Sequence, residues 1–205
     1  MTHRHRIEQR QLAYDLLANR LRPQIVHLHT RIRVPILREM YKELHDTSPP
    51  SGQLPSIKLL LGRNIEHIYC SLFTKIYMRH VNEDSSAEID VIKLLYAWLD
   101  FRTVAPNAEI PRDLTDAWVI VRNVRLGTIV FKQCPACSSN YLILAKTEPP
   151  KSCPFCRTRE VSCSRRRRGS GRGLDGDGPC LPDILPDTLL HPESTLPPEE
   201  ELSFG

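Results

Sequence analysis

Cys134-Pro-Ala-Cys137 and Cys153-Pro-Phe-Cys156 are the residues of this 205-residue sequence whose types and spacing could do chemistry, two Cys-x-x-Cys pairs with 15 residues between them. Two residues between cysteines let one tight turn aim both sulfurs at a single ion, and Pro135 and Pro154 stiffen each turn. The chemistry expected of the set is one tetrahedral zinc ion per chain. Four thiolates leave no open coordination position for water, so that zinc is structural rather than catalytic. A redox dithiol and four unrelated buried cysteines are the alternatives. The chain has seven cysteines, an odd number that in a reducing compartment points to metal ligands rather than disulfides. Cys163 is a rival ligand in place of Cys156, Cys70 falls in an apolar helical run where a buried thiol belongs, and Cys180 stands alone in the tail.

No other constellation has catalytic form. The eight histidines do not cluster: His27 and His29 would point to different faces of a helix, and His3 and His5 sit in a frayed start. The sequence contains no Gly-rich phosphate loop, His-Glu-x-x-His, Gly-x-Ser-x-Gly or paired catalytic carboxylates, and an enzyme is not expected. Charge points elsewhere. All 28 Lys and Arg lie at or before Arg172, against 16 of the 24 Asp and Glu, which gives residues 1–172 a net charge of +12. A body that basic attracts polyanions, nucleic acid most often, although solubility alone would also account for it. The first residues, Met1-Thr-His-Arg-His-Arg6, carry charges where a secretory leader needs an apolar run. No apolar run approaches the ~20 residues that cross a bilayer, so a cytoplasmic protein without a membrane partner is expected.

The elements that must position these residues are mostly helical. Leu12, Leu16, Leu17 and Leu21 recur at near-helical spacing and predict a first helix over Ile7 to Arg22, ended by Pro23. A short segment, Gln24 to His29, follows. Val34-Pro35 opens a second helix with Leu37, Met40, Tyr41 and Leu44 as its stripe, ending before Ser48-Pro-Pro-Ser-Gly52. Ile65, Ile68, Tyr69, Leu72, Phe73, Ile76 and Tyr77 mark the core helix. Ser85-x-x-Glu88 predicts a capping box ahead of a helix whose face is Ile89, Ile92, Leu95, Tyr96 and Leu99. After the Pro106 to Pro111 loop, Leu114, Trp118, Val121 and Val124 form a fifth stripe, with Gly127 at its left-handed C-cap. Thr128 to Phe131 and Tyr141 to Ala145 then have strand length and composition, each beside a cysteine pair, the layout of a zinc ribbon.

The fold class expected is therefore mainly α, with three parts: a helical domain over residues 1–127, a small four-cysteine zinc-ribbon-like module over 128–160, and a disordered tail over 161–205. The tail is first basic, through Arg165, Arg166, Arg167, Arg168 and Arg172, and then acidic and Pro-rich. The arginine run is suited to phosphate contacts if DNA is bound and is a solvated charge run if not. Within the helical domain, Pro23 to Leu44 could form a helix-turn-helix with Val34 to His45 entering a groove, which would bring Arg31, Arg33, Arg38 and Lys42 near DNA. The turn glycine common in that motif is absent, and a purely structural helix pair explains the pattern equally well.

Three blocks and their order carry a family likeness: Leu37-Arg-Glu-Met-Tyr-Lys-Glu-Leu44 with Ser48-Pro-Pro-Ser-Gly-Gln-Leu-Pro55, then Leu114-Thr-Asp-Ala-Trp-Val-Ile-Val-Arg122, then the four cysteines. Together they resemble the bacterial flagellar transcriptional activator FlhC family from residue 7 to about residue 160. The resemblance implies a cytoplasmic DNA-binding activator of flagellar operons. Such a subunit forms a hetero-oligomer with an FlhD-like protein, binds double-stranded promoter DNA, and recruits RNA polymerase carrying the housekeeping sigma factor. It also carries the family's zinc ligands onto Cys134, Cys137, Cys153 and Cys156. The Leu59-Leu-Leu61 stretch and the chain after about residue 163 depart from the family pattern. A rival reading of the residues alone is a zinc-stapled adaptor whose basic surface meets an acidic protein.

Overall fold

Pro23 and Pro35 each stand in the first turn of a helix, where a missing N–H leaves nothing unpaired, and they divide the N-terminal part of the chain into three helices. A computed structural model describes residues 3–81 and 88–158. Helix α1 (His3–Ala18) is followed by α2 (Pro23–Thr30) and α3 (Val34–His45), and the three pack on one another. The first helix is shorter at its end than its leucine spacing implies: it stops at Ala18, and Arg20 turns the chain at φ 62°. Leu21 is nevertheless fully buried, because the turn itself is folded into the core. The short segment after Pro23 is helix α2, which buries Ile25 and Val26.

A single turn, α4 (Ile57–Leu60), lies in the Leu59-rich stretch and is capped by Ser56 Oγ, which accepts from the Leu59 amide. Periodicity could not reveal so short an element. The core helix is α5 (Asn64–His80), which buries Ile68, Leu72, Phe73, Ile76 and Tyr77 while Ile65 remains exposed. Helix α6 (Val91–Val104) lies beside it, and Phe73, Trp98 and Phe101 meet edge-on or tilted with centroids 5.6 to 6.4 Å apart. Helix α7 (Leu114–Arg125) closes against α5 and α6.

Two expectations for α6 are corrected. Ser85 lies outside the described residues, but Glu88 precedes the helix, and Asp90 is the N-cap: its Oδ1 accepts from the amides of Ile92 and Lys93 at 3.0 and 3.2 Å. The buried face is also different. Val91, Leu94, Leu95, Trp98 and Phe101 face the core, whereas Ile92, Tyr96 and Leu99 form an exposed stripe. The helix is apolar on two sides, so neither side stands out in the sequence.

Helix α7 ends as its glycine implies. Gly127 takes φ 63°, its amide donates to Val124 O, and the Thr128 amide reaches back to Asn123 O, a Schellman ending that turns the chain into the sheet. Strand β1 (Ile129–Gln133) pairs antiparallel with β2 (Asn140–Leu144), with Ile129 opposite Leu144 and Gln133 opposite Asn140. The architecture is mainly α with this two-stranded hairpin at its C-terminal side. Ile129 and Leu142 of the hairpin belong to the main core, whereas Tyr141 packs with Cys134 and Cys153 in a second, smaller cluster.

The two groups of helices are joined by a polar clasp on the turn after α1. Thr115 Oγ1 donates to Arg20 O at 2.8 Å and accepts from the Arg22 amide at 3.1 Å. Asn19 adds its carbonyl for the Leu114 amide and its side-chain oxygen for the Trp98 indole N–H. Thr115 is 3% exposed, so replacing its hydroxyl by a methyl strands both backbone groups. Thr115→Val is expected to cost about 1–3 kcal/mol in chemical denaturation. Thr103→Val removes an exposed hydroxyl bonded only to Leu99 O and should change stability by less than about 0.5 kcal/mol.

Candidate metal centre

The first cysteine pair sits in the hairpin turn. Cys134 directly follows β1, its amide donates to Ser139 O, and its carbonyl accepts from the Ser138 amide, with Ser138 at φ 56°. Residues 134–139 thus form a knuckle closed by the strands on either side. The second pair opens a last helical turn at residues 154–158. The Cys156 amide there donates to Cys153 Sγ at 3.3 Å, and the Arg157 amide to Cys153 O.

The two knuckles face each other. Cys137 Sγ lies 3.5 Å from Cys153 Sγ, Cys134 Sγ lies 3.9 Å from Cys156 Sγ, and all four sulfurs fall within 4.8 Å of one another. A tetrahedron with metal–sulfur bonds of ~2.3 Å has edges of about 3.8 Å, so the set is positioned to hold one metal ion and is compatible with zinc. The separations far exceed the ~2.05 Å of a disulfide, and all four cysteines are free. The alternative of four unrelated cysteines does not survive this geometry.

Electrostatics inside the cluster is uneven. Amide N–H groups of Cys137 and Ala136 point at the Cys134 sulfur and pull its thiol down to about 6, while burial pushes the Cys153 thiol up. Tyr141 is raised too, by its own desolvation and then by the four sulfurs around it. Four thiolates this close repel one another, and a bound dication would offset that charge.

What mounts the knuckles on the helices was not visible in the sequence. Asn64, His67 and Ser71 stand at i, i+3 and i+7 on one face of α5 and all bond to the module. Asn64 Nδ2 donates to Pro154 O at 2.9 Å and to Thr158 Oγ1 at 2.8 Å. Ser71 Oγ accepts from the Leu142 amide at 3.1 Å, and His67 Nε2 donates to Leu142 O, which fixes the ring proton on Nε2. The outer edge of β2 is thereby paired to a helix. The polar spacing on α5 was a signal, but nothing local marks backbone atoms over 70 residues away as its partners.

The four cations of the candidate helix-turn-helix, Arg31, Arg33, Arg38 and Lys42, are all exposed. The α2–α3 turn that carries the first two is pinned: His27 Nδ1 donates to Ile32 O at 2.7 Å, and Thr30 Oγ1 donates to Val26 O and accepts from the Ile32 amide. Arg31 takes φ 60°, the conformation a turn glycine would supply. Arg38 and Lys42 follow one helical turn apart on α3, whose other face buries Leu37 and Tyr41. Cys70 is fully buried, donates to Leu60 O, and has its thiol pushed up by burial. Cys163, Cys180 and Arg165, Arg166, Arg167 and Arg168 lie outside the described residues, and no helix among the described residues is long and apolar enough to cross a membrane.

Fold and site define a class: a basic, mainly helical protein with a pinned α2–α3 helix pair and a four-cysteine module, positioned to hold a metal ion, docked on its core helix. Comparison with known proteins narrows the class to one family. The flagellar transcriptional activator (FlhC) family matches residues 3–169, and the chain belongs to that family. It is 29% identical over 183 residues to the flagellar transcriptional regulator FlhC of Pectobacterium carotovorum, covering 87% of this chain and 89% of that protein. Over 152 residues it is 24% identical to that of Enterobacter cloacae, covering 73% of this chain and 80% of the relative. With the Cupriavidus metallidurans protein the identity is 26% over 136 residues, 66% of this chain and 64% of that one.

The mounting has a pH signature. Burial lowers the pKa of His67 below 6.5, assisted by nearby Arg157 and opposed by the bond to Leu142 O. The unfolded chain therefore takes up a proton near pH 6.5 that the folded chain takes up only at lower pH. Stability contributed by neutral His67 is full above pH 6.5 and is lost as pH falls toward the lowered value. His67→Gln should have a shallower loss of stability between pH 7 and 5 than the parent, measured by denaturant titration across that range. Parallel curves would show that His67 does not carry the dependence.

Proposed function

We propose that this chain is the zinc-bearing subunit of a cytoplasmic activator of flagellar operons, which joins an FlhD-like protein, binds promoter DNA, and recruits RNA polymerase carrying the housekeeping sigma factor. The observation that carries the DNA-binding part is the α2–α3 pair. Its turn is pinned, its second helix buries Leu37 and Tyr41 and exposes Arg38 and Lys42 beside Glu39 and Glu43, and with Arg31 and Arg33 four exposed cations lie on the pair. The exposed stripe of Ile92, Tyr96 and Leu99 on α6 supports a protein partner. Membership of a family of transcriptional regulators supports the whole.

The metal's role in this reading is structural. Cys134, Cys137, Cys153 and Cys156 would hold one zinc, whose charge lets all four sulfurs ionise and whose bonds link the hairpin turn to the segment anchored by Asn64. Residues 161–205 would then modulate DNA binding by charge: the arginine run can neutralise phosphates, and the acidic residues after it compete for the same arginines.

Two measurements test these parts separately. Metal analysis of the purified protein should find about one zinc per chain, with Cys134→Ser and Cys153→Ser losing both metal and thermal stability. Full zinc in either variant would sink the ligand assignment, and retention in Cys156→Ser alone would assign the fourth position to Cys163. With the FlhD subunit present, a flagellar promoter fragment should bind with higher affinity than random duplex and with marked salt dependence. Arg38→Ala/Lys42→Ala should weaken binding at least tenfold, and unaltered affinity would move the DNA contact away from α3.

A further inference from the structure

A groove of about 290 Å³ runs along the seam where the four-cysteine module meets α4 and α5. It is lined by Lys58, Arg63, Asn64 and His67 from the helical side and by β2, Glu148 and Arg157 from the module side. Lys58, Arg63 and Arg157 are exposed at its rim. With His67 neutral, the lining carries these three cations and one carboxylate, Glu148, and Glu66 behind it pairs with Arg63. Neither Lys58 nor Arg157 has an ion pair among the described residues, and Arg63 approaches Glu66 only at 3.6 Å with its side chain 76% exposed. The field of Arg157 reaches inward far enough to disfavour protonation of His67.

We propose that this groove is a second DNA contact, separate from α3, in which Lys58, Arg63 and Arg157 hold the phosphodiester backbone as it crosses the seam. The inference rests on the DNA-binding reading given above. Two features favour an extended polyanion over a small phosphate ester. Two polar groups of the lining are already paired: the Asn64 amide is committed to Pro154 O and Thr158 Oγ1, and the Arg63 amide at the start of α5 donates to the Glu66 carboxylate. Recognition is left to long, exposed side chains at the rim, which suit charge neutralisation along a strand better than enclosure of a compact ligand.

The test uses the zinc-loaded full chain with its FlhD subunit, titrated against promoter and random duplex at several salt concentrations. Lys58→Gln/Arg157→Gln should weaken binding to both duplexes alike and flatten the log–log salt slope by up to about 1.8, at about 0.9 per lost phosphate contact. Lys58→Gln alone lies outside the cysteine module and should flatten it by about 0.9; zinc content checks that the module is intact in both. Slopes equal to the parent's would overturn the proposal while leaving α3 as the DNA surface. Adenosine monophosphate that bound the parent but not the double variant, with the DNA slope unchanged, would reassign the groove to small phosphate esters and also overturn it. A parent complex that bound neither duplex would remove the DNA-binding reading itself, and this contact with it.

Discussion

Helix α5 is asked to satisfy two neighbours of opposite chemistry, and the remaining geometry follows from how it does so. Its apolar side closes the core against α6 and α7. Its polar side, Asn64, His67 and Ser71, meets the backbone of a two-stranded sheet too small to bury its own edge. Leaving the amide and carbonyl of Leu142 unpaired would cost about 1–3 kcal/mol each, so the hairpin has one favourable docking position on the helix. Asn64 then sets the second knuckle relative to the first. The sulfurs converge where α5 aligns the segments that bear them, an arrangement that a bound metal ion would complete.

What could be foreseen in the sequence was local. The cysteine pairs are recognisable because two intervening residues impose one geometry, and α3 because Leu37, Met40, Tyr41 and Leu44 lie on one side of an otherwise charged helix. Gly127 was legible for the same reason: only its own conformation was at stake. The failures are equally physical. Ile92, Tyr96 and Leu99 are as apolar as Val91, Leu94 and Trp98, so composition could not say which stripe of α6 is buried, and tertiary packing decided. Glu88 could have shared a cap with Ser85, but Asp90 stands closer to the first turn and accepts two of its amides. The contacts of Asn64, His67 and Ser71 were hidden because a hydrogen bond to a distant main-chain atom leaves no pattern at either end.

The basic character of the chain acquires a location only in three dimensions. A net charge predicts attraction without direction. In the folded protein, Arg38 and Lys42 are set apart from the buried face of α3 by helical periodicity, and Lys58 and Arg157, far apart in sequence, are brought to one rim by the docking of the module. Family membership places the chain among flagellar transcriptional regulators. The distribution of its exposed cations says which surfaces have the chemistry to meet a nucleic acid.

Arg31 shows how two demands on a single residue can be at odds. Its backbone holds φ 60°, a conformation that costs a side-chain-bearing residue roughly 1–2 kcal/mol and glycine almost nothing. Selection for thermal robustness alone would replace it with glycine, whereas selection for a cation at the tight corner before α3 would retain it. Position 31 is therefore a point of trade-off, at which directed evolution toward a hardier scaffold would be drawn to discard a charge that faces solvent and contributes nothing to the core.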